Sequence, residues 1–129
     1  MQPVAKEGGS VPKDPVEKAK ETYIQWLIDR RDGAPNFELR KFTIKPGGAI
    51  PPHMHPDIEH IQYVLSGSYR LRLGDRELAV KEGDAILIPA GTVHGYANDG
   101  DRDAEFLCII PLRSDYKTVW MDERPADRC

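Results

Sequence analysis

Cysteine is scarce in this chain, with two residues in 129. Cys108 lies in an apolar run and Cys129 is the last residue, too few and too placed for a disulfide framework. No apolar run approaches the ~20 residues of a membrane span, and Met1–Ser10 lacks the apolar centre of a signal peptide. Positive charge is not in excess either. Lys and Arg number 18 against 21 Asp and Glu, a net charge of −3, which is not the basic footprint of a nucleic-acid binder. These absences lead us to expect a cytoplasmic protein with neither nucleic acid nor membrane as partner. What is present is 40% hydrophobic and 30% charged residues over a length that suits one domain of about 100–150 residues.

Glycine and proline, eleven of each, divide the chain into short pieces. Residues 1–20 are polar, with Pro3, Pro12 and Pro15, and read as a flexible arm with a helical turn available at Asp14-Pro15. Residues 21–28 fit either a strand or a helix, and their β-branched and aromatic content favours a strand. Strands are then expected at Phe37–Lys45, His60–Leu65, Tyr69–Leu73, Glu77–Lys81, Ala85–Ile88, Gly95–Ala97 and Glu105–Ile110. Pro46-Gly47-Gly48, Ser66-Gly67, Gly74-Asp75, Gly83-Asp84, Pro89-Ala90-Gly91 and Asp99-Gly100 separate them. Many short strands with such breaks indicate an all-β, closed or double-sheet antiparallel architecture. The organisation is an arm at 1–20, a barrel at 21–111 with its motif core at 47–98, and a surface tail at 112–129.

The chemistry concentrates in four histidines. His53 and His55 are two residues apart, so on extended backbone both face one side and converge on one point. Pro51-Pro52 before them and Pro56 after them stiffen that approach. His60 opens the next strand and His94 follows the Pro89-Ala90-Gly91 turn.

At these residues the chain resembles the cupin superfamily. Gly47, five residues on to His53, one more to His55, and a closing Gly67 match the first motif. Position 60 holds His60 where the usual pattern has glutamate, and Glu59 stands one residue too early. The second motif is complete in Gly83, Pro89, Gly91, His94 and Asn98, and fifteen residues separate Gly67 from Gly83. The resemblance covers residues 37–111 and implies a small jelly-roll barrel with an N-terminal arm. It implies one divalent transition metal per chain (Mn, Fe, Ni, Cu or Zn) held by His53, His55, His60 and His94, a four-histidine subset of the family.

Four neutral imidazoles would leave the charge of a divalent ion uncompensated, favouring an anion, enolate, carboxylate or hydroxide as the incoming ligand. Strand parity nominates the pocket walls. With His60 inward, Gln62 and Val64 are inward, while Glu59, Ile61, Tyr63 and Leu65 point out. Gln62 then bonds a substrate or water, or is a satisfied barrel amide. Tyr96 shares a face with His94, and Asn98 supports the turn that follows it. Arg40 either pairs with an anionic substrate or lies on the surface. Cys108 is a small hydrophobe in the wall or reaches the pocket.

The function expected is a metal-dependent enzyme acting on an oxygen-bearing small molecule, by dioxygenase or by enolate-type isomerase or lyase chemistry. A metal-containing module that binds or senses a small molecule without turnover is the alternative, and a storage or structural barrel a third. The outward apolar residues Ile61, Tyr63 and Leu65, with Tyr23, Ile24, Trp26, Leu27 and Ile28 in the N-terminal segment, point to a homodimer, with that segment packing on its own barrel or a neighbour's.

Overall fold

The computed structural model describes residues 2–121. Ten strands form one curled antiparallel sheet: β1 (Asp14–Pro15), β2 (Lys20–Ile28), β3 (Phe37–Met54), β4 (His60–Ser66), β5 (Ser68–Leu73), β6 (Arg76–Lys81), β7 (Ala85–Ile88), β8 (His94–Ala97), β9 (Ala104–Pro111) and β10 (Val119–Trp120). The main path runs β6-β5-β8-β3-β9-β4-β7, with β2 and β10 also paired to β3 and β1 to β2.

β3 makes the sheet curl. Its first half, Phe37–Ile44, pairs with β9, and its second half, Ala49–His53, pairs with β8. One strand therefore belongs to both layers. The expected strand end at Pro46-Gly47-Gly48 is instead a bend within this eighteen-residue strand. Gly47 holds φ +81°, and a Cβ on Gly48 would sit 2.7 Å from the Glu21 carbonyl oxygen, so glycine lets β2 approach the bend. The two layers meet on aromatic rings. Phe106 of β9 stacks on Phe42 at 5.0 Å and on Tyr96 of β8 at 5.1 Å, with Tyr69 of β5 at 5.4 Å. Ile44, Val64, Leu71, Ile88, Ala104 and Ile110 complete the fully buried core around them.

The other expected strands form within a residue or two of their bounds, and residues 21–28 are strand. Three further expectations change. Asp14-Pro15 is not the start of a helical turn but a short strand, Asp14 opposite Ile24 and Pro15 opposite Tyr23. A neighbouring strand edge outweighs the helix-start signal of Asp before Pro. The N-terminal segment pairs with its own chain, Tyr23 opposite Thr43 and Trp26 opposite Arg40, and Gln25 Nε2 donates to the Gly8 and Val11 carbonyls. Residues 112–121 are not merely surface: Tyr116 and Trp120 pack against the core, and Val119-Trp120 pair with Met54 and His53. Charges of both signs concealed two aromatic anchors. The rest of the expected tail, with Cys129, lies outside the described residues. Among those residues no helix is long and apolar enough to cross a membrane.

Candidate metal centre and its cavity

The four histidines arrive from three strands and one turn. His53 lies near the end of β3, His55 just beyond it, and His60 and His94 open β4 and β8. One cross-strand row, Trp120–His53–His94–Leu73, places two of them side by side. His53 and His94 have ring centroids 4.3 Å apart, His55 and His60 4.8 Å, and His60 and His94 5.3 Å. One ligand nitrogen from each of His53, His55 and His94 lies within 4.8 Å of the other two. His60 adjoins this trio through its ring contacts to His55 and His94.

Backbone carbonyls orient the trio. Nδ1 of His53 lies 2.8 Å from the Pro51 oxygen, that of His94 2.9 Å from the Thr92 oxygen, and that of His55 3.0 Å from the Lys117 oxygen. A carbonyl only accepts, so each Nδ1 carries the proton and each Nε2 keeps its lone pair for a ligand. His60 Nδ1 is buried with no hydrogen-bond partner. Burial, opposed by the Pro51 hydrogen bond, pushes His53 down to about 4. Burial likewise takes His94 to about 3, His60 to about 2, and lowers His55. The charge on Arg40 presses in the same direction on all four. A cluster of neutral nitrogen donors with directed lone pairs fits an imidazole-loving divalent ion such as Zn, Cu, Fe or Ni.

These rings face a cavity of about 230 Å³, also bounded by Trp26, Arg40, Phe42, Gln62, Tyr96 and Trp120. A second cross-strand row builds one wall: Trp26 opposite Arg40, Arg40 opposite Cys108, Cys108 opposite Gln62. Arg40 Nη2 donates to Cys108 Sγ at 3.0 Å, and Gln62 Nε2 donates to the Tyr96 hydroxyl at 2.7 Å and, more weakly, toward Cys108 Sγ at 3.5 Å. Burial, with Cys108 beside it, holds the Tyr96 phenol above its ordinary range, so it keeps its proton at neutral pH.

The four nominated pocket residues are thus neighbours in one file. Arg40, Gln62 and Tyr96 line the cavity, with Arg40 half-buried there. Cys108 is fully buried behind them as a hydrogen-bond acceptor in the wall. Glu59 is exposed, facing away from the histidines. Asn98 holds its turn, donating to the Ile44 and Arg102 carbonyls at 2.8 Å each and accepting from Gly100 N at 3.0 Å. Sequence reasoning missed Trp26, Trp120, Thr118 and Glu17 as cavity residues. For Trp26 a signal existed, the alternation of Ile24, Trp26 and Ile28. For Trp120 there was none.

Comparison with known proteins agrees with this geometry. The cupin domain family matches residues 40–110, more than half of the chain. A solved structure of the polyketide cyclase RemF from Streptomyces resistomycificus is 38% identical with a TM-score of 0.82, covering 98% of this chain and 91% of that one. Protein SchB of Streptomyces halstedii is 33% identical over 75 residues, 58% of this chain and 54% of its own length. The mannose-1-phosphate guanylyltransferase RfbM of Salmonella typhimurium is 27% identical over 106 residues, 72% of this chain, which spans only 22% of that longer protein. With the motif glycines at the turns, the histidines at one end of the barrel and the family match across both, the chain belongs to the cupin family.

Proposed function

We infer that this cupin is a metal-dependent enzyme of the enolate type, closing a ring on a poly-ketone as a polyketide cyclase does. The observation that carries this reading is the convergence of the His53, His55 and His94 nitrogens on a cavity walled by Trp26, Phe42, Tyr96 and Trp120. The likeness to RemF over nearly the whole of both chains supports it. His53, His55 and His94 would hold the ion, with His60 as the fourth ligand. A bound divalent ion supplies Lewis-acid polarisation of a ketone oxygen, acidifying the adjacent C–H.

The chain's own residues do the rest. The aromatic walls hold a planar, enolised chain folded and exclude water, so that the two reacting carbons are held together. The α-proton passes to solvent and leaves the carbon nucleophile, a carbon–carbon bond forms at a second ketone of the same molecule as its C=O π bond opens, and that ketone oxygen takes a proton. Tyr96 Oη–H is the donor suited to that last step, because its oxygen already accepts from Gln62 and its hydrogen is free to point elsewhere. Tyr96 then recovers a proton from solvent.

Binding without turnover is the second reading. A 29% identical relative over 72 residues, the oxalate-binding protein of Thermotoga maritima, favours it. The free, buried thiol of Cys108 suits the reducing cytoplasm. We place a homodimer interface on the outward row Leu39–Ile109–Ile61–Leu87, where four strands present apolar side chains. Ile61 is 53% exposed and Leu87 56% in the single chain.

The test is elemental analysis of untagged protein, then incubation of separately Mn-, Fe-, Co-, Ni-, Cu- and Zn-loaded protein with a synthetic poly-β-keto acid and, in parallel, with its thioester. The expected result is near-stoichiometric metal and a cyclised product isomeric with the substrate, or lighter by one water once the new alcohol eliminates to an aromatic ring. Consumption of dioxygen with cleaved product would move the reading to a dioxygenase, and unchanged substrate with every metal to the binding module.

A further inference from the structure

Every described ion pair of this chain leaves one cavity cation out. Lys6, Arg30, Arg31, Lys41, Lys45, Arg70 and Lys81 each lie within 4.0 Å of a carboxylate, whereas Arg40 has no such partner among the described residues. Its Nε is buried without a hydrogen-bond partner, and Nη2 meets only the weak acceptor Cys108 Sγ. The nearby acids are otherwise engaged or outside: Glu105 with Lys41, Glu38 with Arg30 and Tyr116, and Glu17, at the cavity, is exposed. The guanidinium is held between two rings, 5.4 Å from the Trp26 centroid and 5.0 Å from that of Phe42. Such faces steady the cation without neutralising it.

A half-buried guanidinium beside four neutral imidazoles puts an unpaired positive charge at the inner wall of the cavity before any metal enters. An unpaired cation held out of water is costly, and an anion entering the cavity removes that cost. We propose that Arg40 anchors the carboxylate of the substrate, so that the molecule bound is a free planar keto-acid or aromatic acid and not its neutral thioester. This rests on the proposed function for the site itself and names the substrate class for it. The acid's carboxylate meets the Arg40 guanidinium, and its flat body lies against Trp26 and Phe42. That leaves a ketone or hydroxyl oxygen for the end of the cavity where the histidines converge. In a thioester that carboxylate is replaced by a neutral carbonyl, which leaves Arg40 unpaired.

The experiment uses the two tryptophans, Trp26 and Trp120, both of which border the cavity and are the only ones in the chain. Their fluorescence quenching is titrated with salicylate, methyl salicylate and salicylamide, on metal-free and on Zn-loaded protein. The expected result is binding of the carboxylate about tenfold or more tighter than either neutral analogue in both forms, as a charge-assisted contact implies. In Arg40→Met the preference should fall to less than about twofold, with metal content unchanged. Should that variant not fold, Arg40→Gln gives the same readout, and the comparison of acid with ester and amide on the native protein stands by itself. Equal affinity for all three probes overturns the proposal. So does a preference seen only with zinc and untouched by the Arg40 variants, since the metal then holds the anion. If the protein binds no metal but keeps an Arg40-dependent preference for the acid, the metal-dependent function fails and the anchor stands.

Discussion

Gln62 Nε2 donates to the Tyr96 hydroxyl at 2.7 Å, joining β4 to β8 across the cavity. A phenol oxygen that accepts from an amide has its own hydrogen left to give. Tyr96→Phe removes that donor and leaves the ring stacked on Phe106. We expect turnover to fall by about 10²-fold or more, the usual worth of a positioned proton donor, with metal content unchanged. Steady-state kinetics on the metal-loaded variant, beside elemental analysis, checks both halves. Unchanged kcat would remove Tyr96 from the reaction.

The histidines should not contribute equally to metal binding. His94 belongs to the trio whose nitrogens lie within 4.8 Å of one another, while His60 stands outside that trio and its Nδ1 has no hydrogen-bond partner to orient the ring. His94→Ala should lose the metal, His60→Ala should weaken it less, and Glu59→Gln should keep it. Chelator competition measures the order, and a His94→Ala protein that retains metal sinks the assignment.

Acid should destabilise the metal-free protein through the same residues. His53 and His94 are held neutral in the fold, at about 4 and about 3, against 6.5 for a free imidazole. Where the folded pKa is the lower one, the unfolded chain takes up protons first as pH falls. Stability is therefore full above about pH 6.5 and declines from there through pH 4 toward 3. Thermal melts of metal-free protein across that range should show it. Replacing His53 by Gln should flatten the upper part of the decline.

The outward row offers a test of assembly. Leu87→Glu places a charge on a side chain more than half exposed, so the fold should be affected by no more than about 0.5 kcal/mol. Light scattering should show the native protein at two chains and the variant at one. A native mass of one chain at micromolar concentration rules the dimer out.

Gly67 tests the barrel rather than the site. It holds φ +73°, and an added Cβ would sit 2.4 Å from the Asp103 carbonyl oxygen. Gly67→Ala should cost about 1–3 kcal/mol or more, read as a lower denaturation midpoint, because neither the conformation nor the space admits a side chain.

Much of this was legible in order along the chain. Glycine and proline breaks marked most strand ends, because a φ such as that of Gly67 is a local matter. The two-residue spacing of His53 and His55, and the inward parity of His60, Gln62 and Val64, follow from the pleat alone. The bend in β3 was not legible: Pro46-Gly47-Gly48 looks locally like an ending, and only two different partners, β9 and β8, keep it one strand. The direction of Arg40 was equally undetermined, since alternation tells which residues share a face but not which face the core takes. Trp26 and Cys108, on separate strands, decide it by flanking Arg40 in one row.

By itself, then, the sequence determined the β class, the turn positions and the four histidines, because each depends on φ, on spacing or on side-chain type within a few residues. Only the tertiary structure decided that the N-terminal segment closes on its own barrel, and that Trp120, sixty-seven positions after His53, lies against that ring at 4.8 Å. Those choices turn on which distant surfaces meet. Pairing and burial between segments far apart in the chain settle that, and no local pattern encodes it.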